Sequence, residues 1–122
     1  MHDILEPRHH MIDYVEFASA DPQTMCVFFE ATLGWSFERF GPDYVAFHGA
    51  KLEVGIYRAD MASRSEDGGA LIVFYSRDLE ASEALVLSHG ASSIKTVFDC
   101  PGGRRFQFAE PTGNEFAFWS NV

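Results

Sequence analysis

Two glutamates, Glu16 and Glu53, lie in short apolar runs, Tyr14-Val15-Glu16-Phe17 and Leu52-Glu53-Val54. A carboxylate partly removed from water can acquire a raised pKa and serve as a general base, which makes these two the candidate catalytic residues. Two plainer roles stay open for each: pairing with an arginine, or facing solvent. Cys100 would be a strong nucleophile if ionised, but no histidine is near it in sequence. Arg104 and Arg105 lower its pKa only if the following hairpin folds them inward, so it reads as non-catalytic. Cys26 falls inside a helical pattern, and with no CxxC spacing both thiols are expected to be reduced. Pro101-Gly102-Gly103-Arg104-Arg105 leads into a strand rather than a helix, which excludes a phosphate-cradling loop. Among the five histidines, His2, His9 and His10 lie in an N-terminal arm, His48 ends a strand before Gly49, and His89 sits in a last helical turn where a cation favours the dipole. All five read as structural or incidental.

These residues need a scaffold, and the composition supplies one. The chain has 122 residues, 47% hydrophobic and 15% aromatic, enough for a single domain with a true core. Twelve phenylalanines favour a β-rich interior. The formal charge of −9 disfavours nucleic acid and anionic membrane surfaces as partners and would attract a cationic ligand. No run reaches the roughly 18 apolar residues of a membrane span, and MHDILEPRHH lacks the pattern of a signal peptide. A cytoplasmic location is expected.

Residues 1–10 read as an arm and 11–122 as one folded domain. Alternation predicts a strand over 12–17, and Asp21-Pro22 is an N-cap followed by proline at the first helical position. Met25, Phe28, Phe29 and Leu33 then recur at helical spacing up to Gly34. Strands are expected at 35–40, 43–48 and 51–58, parted by Gly41-Pro42 and Gly49-Ala50. The polar linker 59–69 has no apolar anchor and reads as a mobile surface loop. A second series follows: strand 70–75, an Asp78 cap, a helix carrying Leu79, Leu85 and Val86, Gly90 as its stop, and strands 93–98, 104–109 and 115–119. Each half is βαβββ, with modules at about 11–58 and 70–120. A shift of 57 residues lays Phe17-Ala18-Ser19-Ala20-Asp21 on Phe74-Tyr75-Ser76-Arg77-Asp78, so the halves read as a duplication. The fold class is α+β.

Alternation puts Val15, Phe17, Leu52, Val54, Ile72, Phe74, Phe116 and Phe118 in the core. Tyr14, Glu16, Glu53, Tyr57, Leu71, Val73, Tyr75, Ala117 and Trp119 then share the opposite face, an aromatic surface with two carboxylates of the kind that holds and orients a small ligand.

Three stretches carry a resemblance to a known family: Tyr14-Val15-Glu16-Phe17 to Asp21-Pro22, Phe28-Phe29 to Leu33-Gly34-Trp35-Ser36-Phe37, and Glu110-Pro111-Thr112-Gly113-Asn114-Glu115-Phe116. The chain resembles the vicinal oxygen chelate superfamily of glyoxalases, bleomycin-resistance proteins and extradiol dioxygenases, nearest to small bacterial proteins described as related to lactoylglutathione lyase. The resemblance implies that the two modules form a curved, cup-shaped mixed sheet with helices on its convex side. It also implies four metal-ligand positions, which fall on Tyr14, Glu53, Leu71 and Ala117. Only Glu53 is a usual ligand, while Leu71 and Ala117 bring no side-chain donor, so no divalent metal is expected. Glu115 is the nearby alternative, and alternation is expected to turn it away from the face of Ala117. The leading expectation is a metal-independent binder of a small organic molecule, with a flat cation as one candidate ligand. The alternatives are a glyoxalase-type isomerase or lyase using Glu16 or Glu53 as base or metal ligand, and a dimeric interaction module without a ligand. Relatives of this size imply a homodimer.

Overall fold

A computed structural model describes residues 9–48 and 52–122. Most of the expected arm, with His2, and the expected Gly49-Ala50 turn with Lys51 lie outside the described residues. The chain divides into two compact units, Met1–Met61 and Ala62–Val122.

The first unit runs β1 (Tyr14–Ser19), α1 (Pro22–Leu33), β2 (Ser36–Arg39), β3 (Tyr44–His48) and β4 (Glu53–Arg58). Its sheet order is β1-β4-β3-β2, with β1 parallel to β4 and the other neighbours antiparallel. The second unit repeats the plan with β5 (Ile72–Tyr75), α2 (Leu79–Ser88), β6 (Ser92–Cys100), β7 (Gly103–Ala109) and β8 (Glu115–Ser120), ordered β5-β8-β7-β6. The protein is therefore α+β, built from two βαβββ modules. Each outer strand of the β1/β4 and β5/β8 pairs is joined in parallel, which requires a crossover, and the helix supplies it.

The repeated Ser-x-Asp has a physical meaning. In the first unit Asp21 N–H donates to Ser19 Oγ at 3.1 Å, and the Asp21 carboxylate accepts from Thr24 N–H at 3.3 Å. In the second, Asp78 N–H donates to Ser76 Oγ at 3.0 Å and Asp78 accepts from Ala81 N–H at 3.1 Å. Both helices thus start from one device that satisfies an orphan amide and fixes the strand-to-helix corner. Gly34, at φ 69°, ends α1 in the left-handed region as expected.

Each helix packs on one face of its own sheet. Met25 and Phe29 of α1 are buried with Phe17, Phe47 and Ile56 of its sheet, and Leu79 and Val86 of α2 with Phe106, Phe108, Phe116 and Phe118. The expected core positions Val15, Leu52, Ile72 and Phe74 are half-buried rather than buried. Leu85, expected on the apolar stripe of α2, is 38% exposed, since only Leu79 and Val86 of that helix are buried. Strand β6 is longer than expected and carries irregularities between Ser93 and Lys95 and between Lys95 and Phe98.

The linker 59–69, expected as a mobile surface loop with no apolar anchor, is held by polar contacts. Ser65–Asp67 forms a 3₁₀ turn, Ser63 N–H donates to Asn114 Oδ1 at 2.7 Å, and Arg64 Nε donates to the Gly113 carbonyl at 2.7 Å. Its anchors are polar, which a search for apolar residues misses. Among the described residues no helix is long and apolar enough to cross a membrane.

Candidate functional site

On the face of the first sheet away from α1, the ladder sets Tyr14 beside Glu53 and Glu16 beside Gly55, with Ala46 on the other side of Gly55. The absence of a side chain at Gly55 decides the local geometry. A Cβ there would meet the Tyr44 hydroxyl at 2.1 Å, so glycine leaves the space through which the Tyr44 ring reaches across the sheet. Its hydroxyl donates to Glu16 Oε2 at 3.4 Å. Burial, helped by the negative charge of Glu16, holds the Tyr44 hydroxyl above its ordinary pKa and keeps it a donor.

Glu53 takes a different partner. His48 Nδ1 lies 2.8 Å from Glu53 Oε2, and Nε2 lies 3.9 Å from Glu38 Oε1, with His48 only 8% exposed. The shorter contact has ion-pair distance without hydrogen-bond alignment. Neither Glu16 nor Glu53 pairs with an arginine among the described residues; Arg58 is held by Asp43 instead. Asp13, Tyr14, Tyr44, Ala46, Glu53, Val54 and Gly55 line a shallow open pocket of about 220 Å³. Tyr57 lies on the same face, opposite Ala18 and Tyr44, and is 38% exposed.

The sequence reading missed His48 and Tyr44. The signal is in the sequence: alternation through Tyr44, Ala46 and His48 places all three on the face of Glu53, although His48 also stands at a strand end.

The second unit carries Val73, Tyr75, Ala117 and Trp119 on its helix-free face, with Leu71 just before β5. Tyr75 and Trp119 meet edge to face at 5.1 Å, while Ala117 is fully buried. One expectation is corrected here. Glu115 and Ala117 are two residues apart in one strand, so they share a face instead of opposing each other. The Glu115 side chain confirms it by meeting Gln107, the ladder partner of Ala117, through a 2.7 Å bond from Gln107 Nε2 to Glu115 Oε2. Its other oxygen accepts from Ser65 N–H and Oγ, each at 2.8 Å. Burial alone would raise the Glu115 pKa, but the hydrogen bonds from Ser65 and Gln107 and the charge of Arg64 outweigh it and hold the carboxyl below its ordinary value.

The donor set does not fit a family-type metal. Leu71 and Ala117 have hydrocarbon side chains, and both oxygens of Glu115 are occupied by donors from the protein itself. Among the described residues no group of three or more His, Cys, Asp or Glu side chains is arranged to hold a metal ion.

Neither cysteine is bridged. Burial pushes the Cys26 thiol up to about 11, and the residue is fully buried, whereas Cys100 is half-buried at the end of β6. A thiol reagent at pH 8 should therefore titrate one thiol in the folded protein and two in denaturant, because the thiolate is the reacting form. Two fast thiols in the folded state would contradict this.

Comparison with known proteins adds to the geometry. The family described as Glyoxalase/Bleomycin resistance protein/Dioxygenase superfamily matches residues 11–118. No curated protein matches the sequence. Among solved structures, a glyoxalase-related enzyme from Fulvimarina pelagi is 11% identical, covering 93% of this chain and 89% of its own, with a TM-score of 0.76. A family enzyme from Burkholderia phytofirmans PsJN is 15% identical over 90% of this chain and 98% of its own, with a TM-score of 0.75. A bleomycin-binding protein from Streptomyces verticillus, solved with copper(II)-bleomycin, is 17% identical over 94% of this chain and 100% of its own, with a TM-score of 0.65. At these identities the structures show a common fold.

Proposed function

The chain belongs to the glyoxalase/bleomycin resistance/dioxygenase superfamily, and from that premise we propose that it binds a small organic molecule without the family metal. The observation that carries this reading is the pocket of the first unit, where two tyrosine rings and two carboxylates, Asp13 and Glu53, line one opening. Apolar walls with a few oriented polar groups are the usual make-up of a ligand site. Its volume of about 220 Å³ suits a compact group, smaller than the roughly 300 Å³ at which drug-sized sites begin. Glu53 supplies an acceptor for an N–H or ammonium group, Tyr14 and Tyr44 supply flat surface, and the −9 charge favours a cation. Because the Streptomyces verticillus relative was solved with copper(II)-bleomycin, bleomycin belongs in the test panel.

Thermal shift of tag-free protein against bleomycin and small aromatic amines tests the proposal. A ligand at about 100 Kd should stabilise by about 2.7 kcal/mol. Glu53→Gln should weaken binding roughly tenfold or more through loss of a charge-assisted bond, and EDTA should leave it unchanged. Binding that disappears with EDTA and returns with zinc or nickel would count against the metal-independent reading.

The His48–Glu53 contact favours a second reading, in which Glu53 is a general base oriented by His48. Isomerase or lyase turnover by metal-stripped protein, lost in Glu53→Gln, would select it.

A further inference from the structure

On the helix-free face of the second sheet, one cross-strand row reads Tyr75, Trp119, Arg105 and Phe98. The adjacent row includes Gln107 and Lys95. Arg105 and Lys95 both lie over the Phe98 ring, at 5.5 Å and 5.4 Å from its centroid. Neither cation forms an ion pair among the described residues, whereas the neighbouring Arg104 is held by the Glu80 carboxylate. Arg105 Nη2 donates to Gln107 Oε1 at 3.0 Å, but its Nε is buried with no hydrogen-bond partner. Glu115, the carboxylate of this network, is already taken up by Gln107 and Ser65.

Two like charges sharing one ring repel, and a buried guanidinium N–H without an acceptor costs free energy. A single anion placed between Arg105 and Lys95 relieves the repulsion and gives the guanidinium an acceptor. The rings next to it decide what kind of anion: Trp119 is the ladder neighbour of Arg105, and Tyr75, 47% exposed, extends the aromatic surface along the same row.

We propose that this face binds an aromatic carboxylate, with the carboxylate accepting from Arg105 and Lys95 and the ligand ring lying against Trp119 and Tyr75. A planar carboxylate matches the guanidinium fork, and aromatic rings add stacking area. The residues of this site all belong to the second unit.

Calorimetric titration of the full chain with 2-naphthoate tests it, with 2-naphthamide and acetate as controls. Naphthoate should bind at least tenfold more tightly than either control. Arg105→Gln should weaken naphthoate binding at least tenfold, and Arg105→Lys less. Lys95→Gln changes an exposed side chain and should also weaken binding, which keeps the charge test available if Arg105→Gln does not fold. No naphthoate binding at millimolar concentration, equal binding of the amide or of acetate, or unchanged affinity in folded Arg105→Gln or in Lys95→Gln would overturn the proposal.

Discussion

Phe29→Ala is expected to lower the stability of the protein by about 3–5 kcal/mol, the range for removing a fully buried large aromatic side chain. Phe29 is fully buried in α1 and forms one cluster with three other aromatic side chains. It stacks on Trp35 at 4.7 Å, meets Phe28 at 5.1 Å and lies 5.8 Å from Phe47. Trp35 in turn stacks on Phe47 at 4.2 Å, so the cluster ties the end of α1 to β3. Alanine would leave a cavity that the remaining rings cannot fill without leaving their rotamers. In a Trp119→Phe background Trp35 becomes the single tryptophan reporter, and its fluorescence on denaturant unfolding reads the loss directly. A fall of about 10–20 °C in melting temperature should accompany it. Leu33→Ala is the internal control, since Leu33 is only half-buried and should cost far less. Equal losses for the two variants would mean that the aromatic cluster is not the organising element of this unit.

The features that the chain announced in advance are those governed by local physics. Ser19-x-Asp21 and Ser76-x-Asp78 reappear as the same corner because a capping carboxylate acts over three residues, a range visible in any sequence window. Alternation sorted Tyr14, Glu16 and Glu53 from Phe17 and Val54 for the same reason. The constellations that matter chemically are set instead by register, which no local pattern contains. His48 meets Glu53 because β3 pairs with β4 in one alignment of several, and Tyr44 reaches Glu16, two strands away, because Gly55 on the strand between them leaves room. Arg105 joins Phe98 and Trp119 in one row through a ladder that β6 interrupts twice, so spacing along the chain gave no hint of it. The polar anchors of 59–69 escape local patterns for the same reason, since their partners lie about fifty residues further on.

Glu115→Ala should cost about 2–4 kcal/mol, because it removes the acceptor for three donors at once. Ser65 N–H and Oγ lose Oε1, and the buried Gln107 Nε2 loses Oε2. The Gln107 amide cannot compensate by turning over, since its oxygen already accepts from Arg105. Glu115→Gln separates charge from shape. It retains an acceptor for Ser65 but sets an NH₂ against the Gln107 NH₂, so a smaller loss of roughly 1–2 kcal/mol is expected. The two variants also differ from wild type in their response to acid. The folded-state pKa of Glu115 lies below its ordinary value of 4.5, so the native state favours the carboxylate more than the unfolded chain does. That contribution is present in full above about pH 4.5 and is lost as pH falls through the lower, folded-state value. The stability gap between wild type and Glu115→Gln, followed by urea unfolding from pH 7 downward, should hold steady to about pH 5 and then narrow. A gap that widens with acid would mean that burial, rather than the bonds from Ser65 and Gln107, governs this carboxylate. The polar anchor of the 3₁₀ turn would then be a weaker element than its geometry indicates.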